Sequence, residues 1–458
     1  AFTTIYFSIN YIIGNDKFKS LKLFLSDEQK LLIKKYIFPY KLISRQQEQI
    51  SKQLEEISEK EKIYKLLSKT ASKAELLFKE IQRDIPIKKI EDIKLSNNKI
   101  LKKYNLIDGF YSGISNDFPG SGYIDFHQNN LLVLSSKGVL SFNKSIDELY
   151  FKQIENNIHK FIGLEQFKKS HRFSIKDLLI HKDKIFIAYT DEINQDCWNT
   201  SVIYGDINYK NIQFQKFFSA DECIHSSDNP DNEFEPHQSG GRMISFDNSH
   251  ILLSLGDYRS RFLAQDKESV NGKIIKINVN NSNYEIVSMG HRNAQGLYFD
   301  KENNFILESE HGPQGGDEIN LIEVNNINKD EPLNYGWAIV SAGEHYGGKN
   351  EVNEKKYKKY PLYKSHSEYG FIEPLKSFVP SIGISEISKI GQNRYVVGSM
   401  REGIVGRSLY FFELNNEKKI INLERVEVFE RVRDLIFKNG KLYLFLEDTA
   451  SIGVISLN

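Results

Sequence analysis

Beyond about residue 105 the chain becomes a succession of short apolar runs, each closed by Gly, Asn, Asp or Ser: "NLLVLSSKGVLSF", "KIFIAYTDE", "HILLSLGD", "GKIIKINV", "NFILESE", "RYVVGSM", "SLYFFEL" and "KLYLFLED". Runs of this length between turn formers read as β-strands. Many short, evenly spaced strands leave few architectures: an array of β-sandwiches, or a ring of four-stranded blades around a channel. About 350 residues at roughly 55 to 60 per blade give six blades, inside the range such rings use. The expected fold is mainly β, a six-bladed β-propeller over 101–458. The last strands, "KLYLFLED" and "SIGVISLN", would pair with the early "LLVLSS" run, closing the ring and removing exposed edges.

Residues 1–100 read differently. From Leu25 to about Ile85 there is no glycine, and Ile43, Ile50, Ile57, Tyr64, Ala71 and Phe78 recur every seven residues. This is helical periodicity. Gln46, Gln53 and Lys60 make the accompanying seam polar, so a long amphipathic hairpin packed on another surface is expected in preference to a self-sufficient coiled coil. Pro39 interrupts the first part and Pro86 ends the second. The start, "AFTTIYFSINYIIG", is apolar and uncharged but shorter than the roughly 20 residues a span needs. It reads as the end of a signal anchor or the mature start of an exported chain, or equally as a first strand or buried helix. Membrane attachment at the N-terminus and homo-oligomers built through these helices both follow as readings.

Charge excludes one class of partner. Lys plus Arg is 61 and Asp plus Glu is 61, so no basic field invites nucleic acid. No nucleophile elbow or zinc motif points to a hydrolase. Cys197 and Cys223 are the whole thiol inventory. They are two reduced core thiols or one disulfide; the polar contexts "NQDCWNT" and "ADECIHSSD" favour the disulfide, which needs an oxidising compartment.

Polar residues that a fold alone does not need gather in four stretches. "EPHQSGGRM" puts His237 beside a pair of glycines, and Asp257 ends the next strand, where it can sit on an imidazole nitrogen. "GHRNAQG" carries Arg292 and Asn293. "EHGPQGGDEINLI" combines a Gly-Pro turn with acids a few residues on, oxygen ligands of the kind calcium takes. "ERVRDLIF" sets Arg431 and Arg433 on one face of a strand. Two adjacent guanidiniums require an anionic guest or internal acids. Arg401 in "GSMREG" is a third candidate.

Taken in order, "EPHQSGGR…LGD", "GHRNAQGL", "EHGPQGGDEINLI", "NYGW" and "RVRDLIFKNGKLYLF" resemble the soluble glucose/sorbosone dehydrogenase family, quinoprotein aldose dehydrogenases that use pyrroloquinoline quinone (PQQ) on a six-bladed propeller. The resemblance covers roughly Asp177 to Leu457. It implies His237 as general base, Asp257 as the acid orienting it, and Arg292 polarising the quinone with Asn293 beside it. It further implies Gly312 and Pro313 as carbonyl ligands of a catalytic calcium and Glu318 at a second, structural calcium. Arg431 and Arg433 would bind PQQ carboxylates, and Arg401 stands where the family has a lysine.

The chain also departs from the family. "SHRFSIKDLLI" replaces a glycine-rich segment whose glutamine touches substrate and cofactor, leaving His171 or Arg172 to fill the space. Val379 precedes Pro380 where a sugar-stacking Trp stands in glucose-oxidising members, and Ala338 follows "NYGW" in place of proline. The expected function is therefore an exported dehydrogenase, periplasmic or extracellular, dependent on PQQ and calcium. It would oxidise an aldose or other small alcohol and pass electrons to a quinone or other acceptor. The alternative is a catalytically degenerate propeller that binds or assembles partners through its helical leader.

Overall fold

The computed structural model describes residues 84–96, 98–106, 121–145, 150–327 and 331–457, with 26–29, 44, 46–62 and 65 of the N-terminal region. The chain divides into two units, 1–73 and 74–458. In the first, residues 46–62 are helical, and Ile50, Leu54 and Ile57 are exposed. Ile43, Tyr64, Ala71 and Phe78 of the seven-residue recurrence, and the apolar run 1–14, lie outside the described residues. Among the described residues no helix is long and apolar enough to cross a membrane.

The second unit is a propeller with six blades among the described residues. The innermost strands, Gly122–His127, Ile175–His181, Gly240–Ser245, Ala294–Asp300, Ile384–Lys389 and Val432–Lys438, neighbour one another in a closed circuit. Each leads outward through antiparallel hairpins. At the Lys438–Lys441 hairpin, Asn439 (φ 51°) and Gly440 (φ 74°) are both left-handed, the two-residue turn whose twist matches paired strands.

The unbroken apolar runs follow from this arrangement. A strand in the middle of a blade is covered on both faces by the neighbouring blades, so alternation of apolar and polar residues disappears. In His250–Leu255, Ile251 and Leu253 pack toward blade two with Phe186 and Val202, while Leu252 packs toward blade four with Leu297 and Ile306. The same division at each seam gives six apolar cores between blades. Outer strands lose this cover, and Ile420–Glu427 is exposed over most of its length.

Ring closure differs from the expectation. The final strand, Ser451–Ser456, pairs with Ile100–Leu106, and the "LLVLSS" run belongs to blade one. Residues 100–106 thus supply the fourth strand of the last blade. Asp84–Lys94 then pairs with Ile100–Leu106 and, at residues 84–86, with Tyr150–Phe151–Lys152 of blade one. This covers two sheet edges that would otherwise be open to other chains. The helical region expected over 1–100 accordingly ends before residue 84, because Asp84–Lys94 and Ile100–Leu106 are strands of the propeller unit.

At the axis, Arg242 is buried among three carboxylates: Asp177 at 2.7 Å, Glu386 at 2.6 Å and Asp434 at 3.0 Å. Each comes from a different inner strand, so one guanidinium ties four blades. Burial pushes the Asp177 carboxyl up to about 8 against the pull of Arg242. Cys197 and Cys223 form a disulfide with Cα atoms 5.3 Å apart. Cys197 is buried at the start of a strand and is not in the loop its polar neighbours suggested.

Candidate active site

One cavity of about 620 Å³ opens among the inner-strand ends and the loops joining them. His237, Arg292, Asn293, Gly312, Pro313, Arg401, Arg431 and Arg433 all line it, although they span nearly 200 residues of chain and four blades. Two expected site residues stand elsewhere. Glu318 borders a separate void of about 10 Å³ shared with Glu310 and Tyr335, its Oε1 3.6 Å from His366 Nε2. Asp257 lies one layer behind the cavity, accepting from Gln238 Nε2 (3.0 Å), the Arg259 backbone N–H (2.9 Å) and Trp337 Nε1 (2.7 Å). It was expected against His237. It instead reaches the site through Gln238, whose amide oxygen accepts from both Arg259 Nε and Arg292 Nη2 at 2.9 Å.

His237 sits in a short helical turn, Pro236–Gln238, whose first N–H groups are partly met by the Glu235 side chain. The paired glycines after it have a steric reason. Gly240 and Gly241 are both left-handed (φ 61° and 104°), and a Cβ on Gly241 would lie 2.4 Å from Lys176 Cβ. What the backbone approaches there is the neighbouring blade. Burial depresses the His237 imidazole well below its usual range, and Lys176, Arg433 and Arg172 depress it further, with Glu447 opposing. The ring is therefore neutral at pH 7, the form that accepts a proton.

Arg292 is held from three sides. Its Nη1 donates to the carbonyls of His311 (2.9 Å) and Gly312 (2.7 Å), its Nη2 to Gln238, and its backbone N–H to Glu310 Oε2 at 2.6 Å. Arg431 and Arg433 converge on Glu447, at 2.8 and 2.9 Å. Arg401 Nη1 donates to the Ser381 carbonyl at 2.6 Å, and the Ser381 hydroxyl in the same wall makes no hydrogen bond.

Arg172, one of the two side chains expected in the place of the family's glutamine, lines the cavity, whereas Lys137, Lys176, Arg259 and Glu447 escaped the sequence reading. Arg172 pairs with Glu235 at 2.6 Å and stands 63 residues away from it in sequence, in the segment where the family's glutamine is missing. Lys176 is half-buried, and desolvation followed by Arg433 brings its ammonium down to about 7. Lys137 is lowered to about 7 as well, by burial and then by Lys176. Arg259 had a visible signal, two residues after Asp257 in "LGDYRS". Glu447 had none, since only strand pairing brings "FLED" opposite "RVRD". In all, Lys137, Arg172, Lys176, Arg259, Arg292, Arg401, Arg431 and Arg433 face three lining carboxylates, Glu235, Asp317 and Glu447. A protein with no net charge has gathered cations around one hole.

Residues 163–454 match the family model described as Glucose / Sorbosone dehydrogenase. The aldose sugar dehydrogenase YliI of Escherichia coli is 31% identical over 181 residues, covering 36% of this chain and 44% of that protein. The chain spans half or less of the length of the curated relatives it matches. Among solved structures, the apo form of the soluble aldose sugar dehydrogenase from Escherichia coli aligns with TM-score 0.55 and 19% identity, over 74% of this chain and 95% of that one. The PQQ-bound aldose sugar dehydrogenase of Streptomyces coelicolor aligns with TM-score 0.53 and 16% identity, over 74% and 99%. These likenesses establish the six-bladed fold.

Proposed function

This chain belongs to the glucose/sorbosone dehydrogenase family, and from that premise we propose that it is an exported PQQ-dependent dehydrogenase acting on an aldose sugar or another small alcohol. The observation that carries the reading is the charge of the cavity: eight cationic side chains against three carboxylates. Desolvated like charges repel, so the arrangement is stable only with an anion present or with some lysines neutral. PQQ brings three carboxylates, and the unpaired Ser381 hydroxyl offers a further contact. The residues present fit the cofactor.

They fit calcium less well. The Gly312 carbonyl expected to hold the ion already accepts from the Arg292 guanidinium at 2.7 Å, and a second cation on that oxygen would meet the first. No step below requires it.

When bound, PQQ supplies a two-electron acceptor for hydride from the carbon bearing the substrate hydroxyl. The chain's own residues do the rest. Arg431, Arg433 and Arg401 would take the cofactor carboxylates, with Glu447 setting the spacing of the first two. His237, neutral because desolvation and the cations around it depress its pKa, takes the hydroxyl proton as the carbonyl product forms. Arg292, fixed by two carbonyls and Gln238, presents a preorganised positive charge that costs no reorganisation when negative charge develops near it. An anionic guest would also raise the His237 pKa toward the working pH, since the cations that depress it would be neutralised. The disulfide supports an oxidising compartment.

The test is reconstitution. PQQ added to the purified protein should give cofactor absorbance and dye reduction over a panel of aldoses and alcohols. His237→Asn should lower turnover at least about 100-fold while PQQ still binds. No PQQ-dependent dye reduction would reject the enzyme. Exposed Ile50, Leu54 and Ile57 on the helix 46–62 favour the second reading, a propeller that assembles through its helical region. Oligomers lost on deletion of that helix, with no PQQ binding, would decide for it.

A further inference from the structure

We propose that His291, Glu308 and Glu310 form a buried site for a divalent transition-metal ion of the zinc or manganese class, directly behind the loop that carries Arg292 and Asn293. Glu308 and Glu310 are two apart on the strand Phe305–Glu310 and so share a face, and His291 follows the strand Tyr284–Met289 of the preceding blade. One ligand atom from each lies within 4.8 Å of the others, and the three residues are 1%, 0% and 4% exposed.

The second observation is an imidazole nitrogen aimed into this cluster with nothing to bond. His291 Nε2 meets Ser288 Oγ at 2.8 Å, which fixes the ring. Its Nδ1 makes no hydrogen bond; the facing oxygens are Glu310 Oε1 at 3.5 Å and Glu308 Oε2 at 3.9 Å. Glu308 Oε1 and Asn320 Oδ1 are likewise buried without a partner. Asn320 Nδ2 donates to Glu308 Oε2 (3.0 Å) and Glu310 Oε1 (3.3 Å), holding the carboxylates side by side.

Buried carboxylates facing a bare imidazole nitrogen are costly unless a cation lies between. Bonds of about 2.1 Å to zinc place opposed ligands at most about 4.2 Å apart, and two of the three pairs already meet that limit. One imidazole with two carboxylates suits a first-row divalent ion; calcium prefers oxygen alone. Ser288 on the far ring nitrogen is the outer-shell anchor that metal-bound histidines keep. Because Glu310 Oε2 accepts the Arg292 backbone N–H, an ion here would stiffen the cavity wall. The site shares no residue with the Gly312–Pro313 turn or with Glu318, and it does not depend on PQQ chemistry.

The experiment uses the full chain, stripped with a chelator and titrated with zinc or manganese chloride by calorimetry and thermal melting. The expected result is one ion bound per chain with a raised Tm. Glu308→Gln should weaken binding by more than about tenfold, since loss of an outer-shell partner alone costs 10- to 100-fold. Glu318→Gln, which removes a neighbouring carboxylate but no ligand atom, should weaken binding less than Glu308→Gln does. Cobalt(II) should give the parent a visible absorption band that Glu308→Gln and His291→Gln lack. Failure of the stripped parent to bind either ion would overturn the proposal, and this arm needs no variant to fold. So would unchanged binding by Glu308→Gln, or loss confined to Glu318→Gln.

Discussion

Glu447 is the residue whose replacement most directly probes the cation cluster. It is buried between Arg431 and Arg433, accepting from Arg431 Nε at 2.8 Å and Arg433 Nη2 at 2.9 Å. Burial alone would push its carboxyl up; Arg433 and Arg431 outweigh that and hold it down at about 2, against the ordinary 4.5. At about 1.4 kcal/mol per pH unit, this displacement corresponds to about 3 kcal/mol of folding stability at neutral pH. Glu447→Gln removes it and leaves two guanidiniums facing each other, for which breaking a buried pair gives a comparable scale of about 3–5 kcal/mol. For a propeller of this size that is a fall in Tm of about 4 °C or more. The sign of the pH dependence is fixed. A carboxyl depressed in the folded state contributes fully above its unfolded pKa and loses that contribution as pH falls toward about 2. The gap between parent and variant should therefore be widest near pH 7, narrow below about pH 4 and close only near pH 2. Thermal melting across a pH series at low salt measures it. PQQ should then raise the variant's Tm more than the parent's, because carboxylates from the guest take the place of the lost one. Equal melting temperatures at pH 7, or a gap as wide at pH 2 as at pH 7, would refute the reasoning.

Other consequences can be checked separately. Lys176→Met removes the strongest charge depressing His237, so the acidic limb of the kcat/KM profile for dye reduction should move to higher pH; an unmoved limb would assign that limb to another group. Arg242→Met leaves Asp177, Glu386 and Asp434 buried without their cation and should cost at least about 3–5 kcal/mol in denaturant unfolding at pH 7. Opening the Cys197–Cys223 bridge, by reduction or by a double Ser variant, frees a loop of 26 residues and should cost about 3.5 kcal/mol, seen as a lower denaturant midpoint.

Much of the propeller was legible because middle strands are sandwiched between blades. "HILLSL" and the "FIL" of "NFILESE" are apolar on both faces for that reason, and the Asn439–Gly440 dipeptide marks its hairpin by backbone preference alone. The motif-bearing site residues were legible too. His237, Arg292, Arg401 and the Arg431–Arg433 pair meet at one cavity as their types suggested, because polar groups beside turn glycines are unneeded by packing. Less was legible where partners come from afar. Nothing local in "KILKKYNL" says that it pairs with residues 451–456, and the choice between this strand and "LLVLSS" was made by ring geometry.

The sequence by itself determined the strands, the turns and the chemical types that line the hole, since each follows from the preferences of a few adjacent residues. Only the tertiary structure decided which cations meet. Lys176, Arg172 and Glu447 join the site, and Asp257 steps back behind Gln238, because six blades pitched about one axis bring together chain ends that lie as far apart as Ser121 and Glu447. Cross-blade distance is fixed by how sheets stack on apolar seams, and that quantity is shared among all six seams and written in no single segment.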